Sequence, residues 1–265
     1  MKQETAGAAQ ASALSTFGQL ARQHRLWVWG LLVLVLMGWA FLAWTVLDME
    51  HPLVQLMMPL SSSWGVASAA AILAMWAIMM AAMMLPSALP MLLQFVDLSQ
   101  RNGEAARGRA FVGAYLLVWL VFSMAATALQ WGLQSVGWID MMAASRSVWL
   151  TAALLLLAGV YQFSPLKQAC LARCRTPIGF LLGEWRPGAC GALVMGLRHG
   201  LFCLGCCWAL MALLFVGGVM NLAWVAALAI VVALEKLLPR GARLAAVMGI
   251  ILISAGVFRL LALHH

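Results

Sequence analysis

Seven stretches of this chain, over residues 26–47, 64–85, 110–133, 147–163, 190–216, 219–234 and 242–262, are apolar for close to the roughly 20 residues that a helix needs to cross a bilayer. The fourth and sixth are the shortest. The chain as a whole is 65% hydrophobic and only 9% charged, whereas soluble domains carry about 25% charged residues. A soluble globule is therefore excluded. The expected fold is all-α, a polytopic transmembrane helix bundle of about seven spans, forming a single transmembrane domain over residues 23–263 behind a polar N-terminal tail over residues 1–22. No signal segment with a small-residue cleavage site precedes the first span, so the tail reads as a short polar segment.

The placement of Lys and Arg sets the expected orientation. Lys2, Arg22 and Arg25 precede the first span, and Arg101, Arg107 and Arg109 follow the second. Lys167, Arg173, Arg175 and Arg186 follow the fourth, and Lys236, Arg240 and Arg243 follow the sixth. These are thirteen of the sixteen basic residues. The alternate loops hold Arg146 with Asp48, Glu50, His51 and Asp140. Such alternation predicts seven spans in a bacterial inner membrane, with the N-terminus in the cytoplasm and the C-terminus in the periplasm or outside. The net charge of +8 is dispersed over separate short loops, which suits topology and anionic lipid rather than nucleic acid.

Residues 195–211 place one imidazole and three thiols in a stretch otherwise apolar enough to span. At about 100° per residue, His199, Cys203, Cys206 and Cys207 fall within an arc of about 100° on one helix face, with Met195 beside it. Thiolate and imidazole in a dry setting suit a soft or borderline transition metal, with Cu(I) favoured and Zn(II) as the other choice. Close helix packing through small Cys side chains is the competing account, although packing has no use for the histidine. Cys206 and Cys207 are adjacent, so at most one of them joins Cys203 and His199 on a single ion.

Three further groups stand out. Ser164-Pro165 reads as an N-cap followed by proline at the first helical position, opening a cytoplasmic or interfacial helix over 164–177. On that helix Lys167, Cys170 and Cys174 share a face. Their two thiols either bind metal or fill an interfacial helix. On the second span Met75, Met79 and Met83 recur every four residues, either as thioether ligands or as adaptable apolar filler. Pro86 and Pro90 are expected to interrupt that helix near its inner end. Glu235 and Lys236 close the sixth span at the depth of His199, either as functional intramembrane charges or as snorkelling side chains. All six cysteines read as thiols. His264 and His265 read as a chain-end tail.

The strings Met79-Met-Ala-Ala-Met-Met-Leu-Pro86, Lys167-Gln-Ala-Cys170-Leu-Ala-Arg-Cys174-Arg-Thr-Pro177, Gly196-Leu-Arg-His199-Gly-Leu-Phe-Cys203-Leu-Gly-Cys206-Cys207-Trp208 and Glu235-Lys236 occur in this order. Over roughly residues 60–260 the chain resembles the bacterial predicted metal-binding integral membrane proteins of unknown function. The resemblance implies a multispanning metal-binding protein and no defined reaction. Cys190 belongs to none of these strings.

The leading functional reading is a membrane protein that handles or moves a soft metal. His199, Cys203, Cys206 and Cys207 supply the ligands, and Met79, Met83, Cys170 and Cys174 relay the ion. Its partners are the lipid bilayer, the metal ion and a protein that delivers or receives the metal. A membrane oxidoreductase using thiols or bound metal is the second reading. It lacks a cofactor fingerprint and a histidine pair for haem, and carboxylates at membrane depth are few. A structural subunit without metal is the third.

Overall fold

The computed structural model describes residues 25–59, 64–101 and 104–262, and these are all-helical apart from turns and one isolated bridge between Ile139 and Ser145. The helices are α1 (Arg25–Leu47), α2 (Pro52–Met57), α3 (Val66–Arg101), α4 (Ala105–Ser135), α5 (Val148–Tyr161) and α6 (Pro165–Arg175). They continue as α7 (Pro177–Glu184), α8 (Gly188–Ala212), α9 (Leu214–Gly217), α10 (Leu222–Leu237) and α11 (Gly241–Leu261). The polar tail over residues 1–22 and the terminal His264 and His265 lie outside the described residues.

Five helical stretches are long and apolar enough to cross a membrane: α1, α3, α4, α8 continued by α9, and α11. A sixth arises if α5 and α6, which meet at a 64° bend, count as one span. The sixth expected span corresponds to α10, whose 16 residues rise only about 24 Å at 1.5 Å per residue. That is short of the roughly 30 Å hydrocarbon core, so length and apolarity by themselves support five or six spans.

One expectation is corrected outright. Pro86 and Pro90 do not interrupt the second apolar segment, because α3 runs unbroken through both for 36 residues. Proline removes a backbone donor, yet inside a bundle neighbouring side chains can take over the exposed carbonyls. The carbonyls left without their helical donors are those of Ala82 and Pro86; between them, the Met84 carbonyl accepts extra hydrogen bonds from Ser87 Oγ at 3.0 Å and from Tyr115 Oη of α4 at 3.4 Å. The basic loop expected after this span is consequently mostly helix: Arg101 ends α3, and Arg107 and Arg109 lie in the first turns of α4.

Small residues set the tightest crossings. Gly196 and Gly200, one turn apart on α8, lie directly on α4. A Cβ at Gly196 would meet the Phe111 carbonyl oxygen at 2.4 Å, and one at Gly200 would meet Val118 Cγ2 at 2.8 Å. This is the small-xxx-small pattern by which membrane helices approach closely. Gly159, Gly249 and Gly256 do the same between α5 and α11. Against this frame α6 folds back beside α8, where Cys170 Sγ occupies the space left by Gly205. α10 reaches α3, α6, α8 and α11. The charged last turn of α10 therefore ends inside the bundle.

Candidate metal centre

The thiol face lies along the middle of α8, and all of it is buried: His199, Cys203, Cys206 and Cys207 are each no more than 3% exposed. Its nearest ring neighbours come from α4 and α7. Phe111, Tyr115 and Phe180 surround the His199 imidazole at centroid distances of 6.0, 5.8 and 5.5 Å. The His199 Nδ1 nitrogen has no hydrogen-bond partner. A buried polar atom left unpaired ordinarily loses free energy on folding. Of the unpartnered buried side-chain atoms it is the one whose lone pair suits a soft cation, since the others are N–H donors or a hard amide oxygen.

Cys203 sits at the centre of the polar contacts. The Lys236 ammonium donates to Cys203 Sγ at 3.0 Å, and Tyr115 Oη lies 3.2 Å from the same sulfur. Lys236 Nζ also reaches Ser87 Oγ at 3.3 Å and Met84 Sδ at 3.7 Å. Cys206 and Cys207 direct their S–H groups back to the Cys203 carbonyl at 3.0 and 3.1 Å. Cys174 of α6, half-buried, lies beside Cys203 and Cys206. Two helices thus bring four thiols near one another, all of them free cysteines.

Each residue singled out in the sequence has a definite place. Ser164 caps α6 through the Lys167 amide, which turns Lys167, Cys170 and Cys174 toward α8 and α10. Lys167 Nζ and Glu235 Oε2 form a buried ion pair at 2.6 Å, and Gln162 Nε2 donates to Glu235 Oε1 at 3.0 Å. Glu235 and Lys236 are 1% and 6% exposed, so neither side chain reaches out of the bundle. Being adjacent on a helix they diverge by about 100°, and the carboxylate serves α6 while the ammonium serves α8. Met79 and Met83 are fully buried in the core, but the thioether that meets Lys236 is Met84. Cys190 is exposed, away from the thiol group. Among the described residues no set of three or more His, Cys, Asp or Glu side chains is arranged to hold a metal ion. Two of the thiols are turned to the Cys203 carbonyl rather than to a common point.

Tyr115 was not singled out by the sequence reading, although a signal existed. The chain has only two tyrosines, and a phenol within an apolar span needs a partner for its hydroxyl. Both tyrosines lie at this centre, since Tyr161 Oη donates to the Gly205 carbonyl at 2.5 Å.

The family model PpoB2, described as copper chaperone, matches residues 73–259. The chain belongs to this copper chaperone family. The match takes in α4 to α10 whole and most of α3 and α11, and so every cysteine and His199. Neither a curated protein nor a solved structure matches the chain. Membership gives the protein a copper-related role.

Proposed function

We propose that the protein is an integral membrane copper chaperone that holds Cu(I) on the α8 thiol face and passes it to a partner protein. The donors in this reading are Cys203, Cys206 and the His199 imidazole, with Cys174 as the entry thiol. The observation that carries it is the buried group of soft donors around Cys203 beside an unpartnered imidazole nitrogen, in a chain of the copper chaperone family. Thiolate and thioether ligands select Cu(I). A carrier needs sites weak enough to release the ion and numerous enough to pass it on. Cys174 is half-buried and adjoins the deeper thiols, which gives the ion a stepwise route inward by ligand exchange.

The test is metal content of the full chain purified in detergent under reducing conditions and loaded with Cu(I). Wild type should retain about one copper per chain, and retention should fall as the solution is acidified, because thiolate and neutral imidazole are both required. Cys203→Ser should bring copper to background and His199→Ala should weaken it, while exposed Cys190→Ser should leave it unchanged. Full copper retention by Cys203→Ser would sink the proposal.

In the same reading the protein is a multi-pass protein of a bacterial inner membrane with seven spans, α5 with α6 and the short α10 completing the five long ones. Its N-terminus is cytoplasmic and its C-terminus periplasmic. The alternation of basic loops supports this. Reporter fusions after Gln100 and after Asp140 are expected on opposite sides, and finding both on one side would refute the orientation.

A further inference from the structure

Lys236 is a buried cation that meets a sulfur instead of a carboxylate. The nearest buried carboxylate, Glu235, is already engaged by Lys167 at 2.6 Å and by Gln162 at 3.0 Å, so that pair closes on itself with no net charge. The groups that face Lys236 from the other helices are Ser87 and Met84 of α3, Tyr115 of α4, and Cys203 of α8 with Cys206 and Cys207 beside it. None of the α3 groups carries charge. One positive charge therefore stands in the bundle interior with the thiol cluster as its only counterpart among these contacts.

We infer that Lys236 is the specificity-determining residue of the thiol centre, its fixed ammonium charge selecting a monovalent soft cation over a divalent one. The inference rests on the copper-holding reading above and supplies the reason for the choice of ion. A monovalent ion between the thiolates of Cys203 and Cys206 forms a unit of charge minus one, and Lys236 at 3.0 Å from Cys203 brings the group to zero. The protons displaced from the thiols pass to solvent. A divalent ion between the same two thiolates is already neutral, and the ammonium would then remain as an uncompensated buried charge, which is costly in a low-dielectric interior. The other cations of α6, Arg173 and Arg175, are engaged elsewhere, by Glu184 and by the Leu238 carbonyl.

The experiment is competition between Cu(I), or Ag(I) as its closed-shell monovalent equivalent, and Zn(II) on the full chain in detergent, each buffered by a chromophoric chelator. Wild type should hold the monovalent ions and exclude zinc. Lys236→Gln keeps a hydrogen-bond donor on a side chain one atom shorter and removes the charge. It should reduce the monovalent-to-divalent affinity ratio on the order of 100-fold, as expected for a unit charge lost a few Å away at an intermediate effective dielectric constant. Lys236→Arg, which keeps the charge, should restore the ratio. An unchanged ratio in folded Lys236→Gln protein would overturn the inference while leaving copper holding intact. Wild-type protein that retains zinc as well as copper on Cys203 and Cys206 would overturn it without any variant, and that arm decides alone if Lys236→Gln does not fold. Wild-type protein that binds neither ion would instead overturn the reading on which the inference rests.

Discussion

Glu235→Ala is expected to destabilise the bundle by about 3–5 kcal/mol, because it strands the Lys167 ammonium in the interior without a partner. The pair is buried on both sides, with side chains 1% and 2% exposed, so solvent screening gives no relief. The loss should register as a large fall in the thermal midpoint of the detergent-solubilised protein. Replacing both partners by apolar residues, Lys167→Leu with Glu235→Leu, should recover most of that loss, since a buried pair exchanged for hydrophobic groups of similar size is often near neutral. Recovery should be incomplete, because Gln162 Nε2 then loses its acceptor. The double variant leaves the Lys236 contact with Cys203 in place and should keep its copper. A Glu235→Ala protein as stable as wild type would show that the ion pair is dispensable to the way α6 docks on α10.

The parts of the molecule legible in the sequence are those governed by a local period. Helical spacing alone puts His199, Cys203, Cys206 and Cys207 on one face, and burial of all four on α8 follows from that face meeting α4 and α6. The apolar segments likewise foretell where the helices run, because bilayer length and backbone hydrogen bonding act on each segment separately. What was not legible depends on which helices touch. Met79 and Met83 share a face by period, yet the methionine that reaches the lysine is Met84, because α10 approaches α3 from another side. Pro86 and Pro90 read locally as breaks, whereas the Tyr115 hydroxyl and Ser87 supply donors to that segment from outside the backbone ladder. Glu235 and Lys236 look like one pair in sequence and serve two different helices in space. For Met84, the Tyr115 hydroxyl and Lys236 the contact is made by a helix distant in sequence, which no periodicity encodes.

Gly196→Leu is expected to abolish the native packing of α8 on α4, and with it the proposed copper centre. A Cβ at this position would stand 2.4 Å from the Phe111 carbonyl oxygen and 2.8 Å from Ala114 Cβ. The first of these is backbone in the middle of a helix and cannot rotate away. Overpacking in a well-filled interior typically costs about 1–3 kcal/mol, and a collision with backbone lies at or beyond the upper end, since α4 and α8 must separate along their length to relieve it. The separation would draw Phe111 and Tyr115 away from His199 and break the 3.2 Å approach of the Tyr115 hydroxyl to Cys203. Folded yield and copper content should therefore fall together. Gly113→Ala is the control: it sits on the same helix as Phe111 with open space at its Cβ, and the gain in helix propensity should leave the protein as stable as wild type or slightly more so. Thermal unfolding followed alongside copper content separates the cases. If Gly196→Leu protein unfolds at the wild-type temperature with its copper retained, then close approach of α8 to α4 is not what holds the thiol face in position.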